Sequence, residues 1–152
     1  MEIVEFQNKF TEDIKHVAFS ALRGVGIRNQ SIGAILKDRD GDLDKILEIY
    51  HGRGRFWVAI QNEKIIGTVG IKEIDETTAK LKRMFVLPER QGQGVGQALL
   101  EHALSFAKTQ GYTKIVLRTD RLMTGAHAFY EKNDFKRAGE DEERFCYEKL
   151  IG

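Results

Sequence analysis

The stretch from Met84 to Gln97 limits the possible folds of this chain more than any other. It begins as a β-rich run, Met84-Phe85-Val86-Leu87, stopped by the single proline, Pro88. A polar turn, Glu89-Arg90-Gln91, leads into glycines at alternate positions, Gly92, Gly94 and Gly96. From Gly94 to Gln110 the apolar spacing becomes helical, with Val95, Ala98, Leu99, His102, Ala103, Phe106 and Ala107 on one face and Gly111 where a helix-ending glycine belongs. The segment therefore predicts a strand that enters a helix through a glycine loop. Glycine lets backbone approach a ligand closely, and a helix N-terminus offers free N–H donors and a positive dipole end. With Arg90 nearby, a pyrophosphate is the natural guest. The alternative is that the glycines serve only a tight turn.

Two phosphate motifs do not fit. The dinucleotide pattern G-x-G-x-x-G fails because Gln97 stands at the third glycine position, and no Gly-Lys-Ser/Thr follows for a Walker loop. A nucleotide-phosphate enzyme built on the same glycines is accordingly a weak reading.

The surrounding periods supply a fold. Met1–Phe6 reads as a strand, followed by a helix capped at Thr11 or Asp13 and carrying Ile14, Val17, Ala18, Ala21 and Leu22. Residues 26–41 read as loop or frayed helix, and a second helix is expected from Asp42, with Leu43, Ile46, Leu47 and Tyr50 on one face. Phe56–Ile60 and Ile65–Ile74 form a hairpin about Gln61-Asn62-Glu63-Lys64, and Lys80–Leu87 is the next strand. After the glycine-loop helix come a strand at Ile115–Thr119, a helix at Thr124–Lys132, a strand starting at Phe135 and a last strand at Phe145–Leu150. The order βααβββαβαββ implies an α/β (α+β) fold in one domain, residues 1–152, with a mixed sheet and helices on both faces.

Composition removes several functions. Lys plus Arg total 24 against 23 Asp plus Glu, a net charge of +1, so the basic excess expected of a nucleic-acid binder is absent. No apolar run approaches a membrane span, and Met1-Glu2-Ile3-Val4-Glu5-Phe6 lacks the pattern of a signal peptide. The lone Cys146 makes no intrachain disulfide, and His16, His51, His102 and His127 show no metal spacing. A cytoplasmic protein without a metal is expected.

The pattern Val86-x-Pro88-x-x-Gln91-x-x-Gly94-x-Gly96 resembles the Gln/Arg-x-x-Gly-x-Gly/Ala signature of the GNAT superfamily of acyl-CoA-dependent N-acetyltransferases. The similarity extends through Lys80–Lys108 and returns at Ala126–Phe135, Ala-His-Ala-Phe-Tyr-Glu-Lys-Asn-Asp-Phe. The resemblance implies a mostly antiparallel sheet whose central strands, here Lys80–Leu87 and Ile115–Thr119, splay apart to admit acetyl-CoA. Phe85 and Val86 would pair with the pantetheine arm. The backbone of Gln91, Gly92, Gln93, Gly94, Val95, Gly96 and Gln97 would hold the pyrophosphate.

The implied reaction is direct attack of an amine on the thioester, with backbone N–H near Val86 stabilising the oxyanion and Tyr130 as general acid. Members often carry a base on the central strand, where this chain has Lys80 and Lys82. Glu73 is then the first candidate base, Asp75 the second, and a water-mediated base equally tenable. Two further departures are Met123, where an asparagine is usual, and Asp134, where a glycine is usual.

His102 is expected to be a core residue, His127 a surface or supporting one, and Glu140–Glu143 a solvated loop or an attraction for a cationic amine. The acceptor would be a small-molecule or peptide amine. A homodimer paired through Phe145–Leu150 is conceivable on exposed-edge grounds. From a different class, a non-catalytic acyl-CoA-binding or regulatory module would keep the loop without turnover.

Overall fold

Two continuously buried runs, within residues 55–61 and 64–73, and an alternating one along 78–86 build the centre of a seven-stranded sheet in the order β1-β2-β3-β4-β5-β7-β6. The computed structural model describes residues 1–37 and 41–152. The strands are β1 (Glu2–Glu5), β2 (Arg55–Gln61), β3 (Lys64–Glu73), β4 (Thr78–Val86), β5 (Lys114–Asp120), β6 (Lys136–Glu140) and β7 (Arg144–Leu150). Every neighbouring pair is antiparallel except β4 and β5, which are parallel. Asn62 and Glu63, at φ 53° and 64°, make the two-residue turn that joins β2 to β3, with the paired positive φ of a type I′ hairpin.

Helices cover both faces: α1 (Thr11–Gly24), α2 (Asn29–Lys37), α3 (Ile46–Ile49), α4 (Val95–Thr109) and α5 (Thr124–Lys132). Two glycines of β3 let the layers close. A Cβ on Gly67 would stand 2.8 Å from Leu99 and 3.1 Å from Val95, so α4 lies directly on the strand. On the opposite face a Cβ on Gly70 would stand 2.7 Å from the ring of Tyr50 and 2.9 Å from that of Phe56.

β4 and β5 pair only at Thr78↔Lys114, Ala79↔Ile115 and Lys80↔Val116, and then separate. The cause is on β4. Against β3, Thr68 faces Phe85 and Gly70 faces Lys82, so Arg83 and Met84 stand opposite the single residue Val69. That extra residue is a β-bulge, with Arg83 in the left-handed region at φ 54° and its carbonyl accepting from Thr68 Oγ1 at 2.7 Å. The bulge bends β4 away from β5 and opens the sheet at its centre.

Three sequence expectations change. The helix expected from Asp42 is a 3₁₀ turn, Asp42–Asp44, followed by the four-residue α3. The stretch read as loop or frayed helix contains α2 instead, because Ile32, Ile35 and Leu36 form a short apolar stripe; the part of that expectation falling on residues 38–40 lies outside the described residues. The C-terminal strand is not an edge: β7 lies between β5 and β6, which removes the reason for pairing a dimer through it. The edges are β1 and β6, and every residue of β6 is exposed.

Candidate active site

The gap between the splayed strands opens onto two cavities with a common wall. The first, about 660 Å³, is lined by Met84, Phe85 and Val86 of β4, by Gln91, Gly92, Gly94, Gly96 and Gln97 of the glycine loop, and by Phe129, Lys132 and Asn133 at the end of α5. Its volume suits a cofactor-sized ligand. The second, about 300 Å³, lies on the other side and takes Ala34 and Ile35 from α2, Lys80, Lys82 and Arg83 from β4, and Arg118, Asp120, Glu143 and Arg144 from β5 and the start of β7. Met84, Phe85, Met123, Ala126 and Tyr130 line both.

In the glycine loop Gly92 and Gly94 have φ of 77° and 85°, a conformation that an L side chain adopts only with strain, and a Cβ on either would meet nothing within 4 Å. The loop thus keeps open space along its outer rim. Gly94 is the N-cap of α4, and the first intrahelical bond runs from Ala98 N–H to Gly94 O at 3.1 Å. The N–H groups of Val95, Gly96 and Gln97 have no carbonyl a turn earlier to take them, so they remain for an anion. Lys132 supplies a positive side chain to this cavity. Arg90, the cation expected there, turns instead to Gln61, donating from Nη1 to Oε1 at 2.9 Å.

The loop is clamped to α5 by a reciprocal amide pair. Gln97 donates to Asn133 Oδ1 at 2.8 Å, and Asn133 donates to Gln97 Oε1 at 3.1 Å. Of the predicted loop residues, Gln93 and Val95 do not line the cavity with their side chains: Gln93 donates to Glu89 O at 3.3 Å, and Val95, the first residue of α4, is buried against β3. Leu87 N–H donates to Ile66 O at 2.9 Å, so by the alternation of a β-strand the N–H of Val86 points to the opposite edge, into the gap left by β5.

Tyr130 stands in the common wall, 6% exposed, its ring packed between those of Phe129, Phe135 and Tyr147. Its hydroxyl has no hydrogen-bond partner among the described residues, and burial pushes its pKa well above the ordinary tyrosine value. A buried phenol without a partner is uncommon in a folded protein and points to a ligand that completes it.

The carboxylates named from sequence are not brought to this gap. Glu73 faces Ala79 at the far end of β4, about 20 Å from Phe85 at the usual strand rise, and accepts from Arg53 Nη1 at 2.9 Å. Asp75 closes the next turn through the N–H groups of Thr77 and Thr78, which hold its carboxyl below the usual range. The carboxylates lining the second cavity, among the described residues, are Asp120 and Glu143. Sequence reasoning missed Asp120; the available signal was its place at the C-terminal end of the strand that flanks the splayed pair.

His127 is buried, Nε2 2.9 Å from Asp120 O, while His102 is exposed with its ring against Trp57. Asp134 takes φ 68°, so aspartate adopts the turn for which a glycine is usual. Among the described residues no group of three or more His, Cys, Asp or Glu side chains is placed to hold a metal ion, and no helix is long and apolar enough to cross a membrane.

A family model described as an acetyltransferase (GNAT) domain matches residues 52–137, more than half of the chain. Human N-acetyltransferase 8B is 38% identical over 90 residues, which are 56% of this chain and 40% of that protein, so the chain matches well under half the length of this relative. An acetyltransferase structure from Streptococcus agalactiae superposes with a TM-score of 0.82 at 28% identity, covering 98% of this chain and 97% of that one. The PaiA N-acetyltransferase of Thermoplasma acidophilum, solved in complex with coenzyme A, superposes with a TM-score of 0.84 at 23% identity and 98% coverage of both chains. The chain belongs to the GNAT family of acetyltransferases.

Proposed function

We propose that this domain transfers the acetyl group of acetyl-CoA to a primary amine by direct attack, with Tyr130 as the proton donor to the departing sulfur. The observation that carries the reading is the buried, unpartnered hydroxyl of Tyr130 in the wall common to both cavities. The glycine-loop side holds the donor: first-turn amides of α4 and Lys132 for the pyrophosphate, and the free edge of β4 at Val86 for the extended arm. The other side holds the acceptor.

The amine nitrogen attacks the thioester carbonyl carbon, and the Val86 N–H stabilises the oxygen as it gains charge, an interaction worth about 3 kcal/mol when preorganised. The nitrogen's surplus proton passes to water or to Asp120 or Glu143. As the carbon–sulfur bond breaks, sulfur takes the Tyr130 proton, which solvent later restores. Burial opposes ionisation of the phenol, so Tyr130 meets the charge collecting on sulfur as a hydrogen-bond donor.

The test is thermal unfolding with acetyl-CoA, coenzyme A, NAD and ATP in parallel, followed by thiol release over a panel of primary amines. A ligand at 100 times its dissociation constant adds about 2.7 kcal/mol of stability. Midpoint shifts with the coenzyme A species alone, and amine-dependent thiol release, are expected. Shifts with NAD or ATP alone would overturn the reading, and coenzyme A binding without turnover on any amine would replace it with a non-catalytic acyl-CoA-binding module.

A further inference from the structure

Arg83 forms the bulge of β4, yet glycine would take its φ of 54° with less strain. The side chain has its own work. Arg83 Nε donates to both oxygens of Asp42, at 3.1 and 3.0 Å, and Nη2 donates to Oδ1 at 2.6 Å. Nη1 reaches Ile35 O at 3.2 Å and Nη2 reaches Leu36 O at 3.4 Å. Asp42 is fully buried, also accepts from the hydroxyl of Tyr50, and has Lys82 Nζ 3.7 Å away. The Tyr50 ring in turn rests on Gly70 of β3.

The helix held this way packs on α1 and the core through Ile32, Ile35 and Leu36. α2 is nine residues long and buries only Ile32 completely. An isolated helix of that length is marginal in water. The carbonyls of Ile35 and Leu36 lie toward the C-terminal end of α2, and a guanidinium donating to them suits the negative end of the dipole. Ala34 and Ile35 at the same end line the second cavity. A buried ion pair is seldom the most stabilising way to fill such a space, but it fixes relative position sharply.

We propose that the Arg83–Asp42 pair is a strap that sets the mouth of the second cavity, fastening the last turn of α2 to the bulge that opens the sheet. Naming the cavity an acceptor site rests on the transferase reading; the strap does not.

The experiment compares the full-length chain with Arg83→Lys and with the double variant Arg83→Gly/Asp42→Asn. The double variant keeps the bulge conformation and leaves no unpaired buried carboxylate. Amide hydrogen exchange is followed along the chain, and coenzyme A affinity is measured by calorimetry. The expected result for the double variant is exchange at residues 32–37 at least tenfold faster, with the amides of β2 and β3 unchanged and coenzyme A affinity within twofold. Arg83→Lys retains the charge but not the fork to the two carbonyls, and gives the same local acceleration. Unchanged protection in α2, or protection lost evenly over the chain, would overturn the strap. If the wild-type chain fails to bind coenzyme A, the transferase reading falls while the exchange result still decides the strap.

Discussion

The two sides of the central gap are made of different materials. The glycine-loop side offers backbone: left-handed glycines, the first amides of α4 and the free edge of β4, with one cation, Lys132. The other side offers side chains from widely separated parts of the chain, Ile35, Arg83, Asp120 and Arg144 among them. Backbone recognition needs a local run of residues with the right dihedrals, so it leaves a compact pattern in the sequence. Side-chain recognition needs only that the fold bring distant residues together, and leaves none. On the proposed reading, the same contrast separates a fixed donor half from a variable acceptor half.

The sharpest way to break this division is at the residue that belongs to both halves. Replacing Tyr130 with phenylalanine removes a hydroxyl and no hydrogen bond among the described residues, so the ring should stay packed. Turnover is expected to fall about 100-fold or more, as for other general acids, with coenzyme A affinity within twofold. Steady-state kinetics on a productive amine, beside calorimetry, checks it; equal losses in both would place Tyr130 in binding and not in proton transfer. The same variant has a pH signature. The folded-state pKa of Tyr130 lies above the unfolded value of 10.0, so the group's contribution to stability is whole below pH 10 and is lost as pH rises through the folded pKa. The phenylalanine variant should therefore lose stability less steeply than wild type above pH 10.

A smaller effect is expected within the backbone half. Gly94→Ala places a methyl group at φ 85° in the space that the loop leaves open. Left-handed backbone costs a non-glycine residue about 1–2 kcal/mol, so the unfolding midpoint should drop. Coenzyme A affinity should fall about tenfold, equivalent to about 1.4 kcal/mol. A lowered midpoint with intact affinity would mean that the glycine serves the turn alone, and the contrast between the halves would lose its basis.

The contrast also accounts for how far the sequence could be read. The β2–β3 hairpin, the glycine loop and the helix after it all follow from residues close in the chain, and they stand where periodicity and turn chemistry put them. Asp42 shows the opposite case. An acidic residue just before Leu43 reads as a helix cap, but its partner is Arg83, 41 positions away, and the fold buries it under α2 instead. Glu73 looks near the site in sequence because β3 precedes β4. The antiparallel register carries it to the end of β4 away from the gap. The last strand is expected to pair as an exposed edge, whereas β6 folds back outside it. For Asp42 the deciding contact was nonlocal, whereas Glu73 and the last strand were decided by hairpin register and strand order.

The smallest effect concerns the helix that joins the two halves. α5 ends in a paired closure: Phe135 N–H donates to Tyr130 O at 3.0 Å and Asp134 N–H donates to Glu131 O at 3.1 Å, with the Phe135 and Tyr130 rings 5.5 Å apart. This is a Schellman motif, and its left-handed residue, usually glycine, is Asp134 at φ 68°. Aspartate tolerates that conformation better than most residues, and glycine loses more entropy on folding, so the two effects partly offset. Asp134→Gly should stabilise by about 0.5–1 kcal/mol, a midpoint rise of about 1–4 °C at this chain length. Because the motif fixes the carbonyl of Tyr130 and not its hydroxyl, turnover and coenzyme A affinity should stay within twofold. A gain in stability accompanied by a fall in turnover would show that the strained turn sets the tyrosine's reach into the gap, and would move Asp134 from the scaffold to the site.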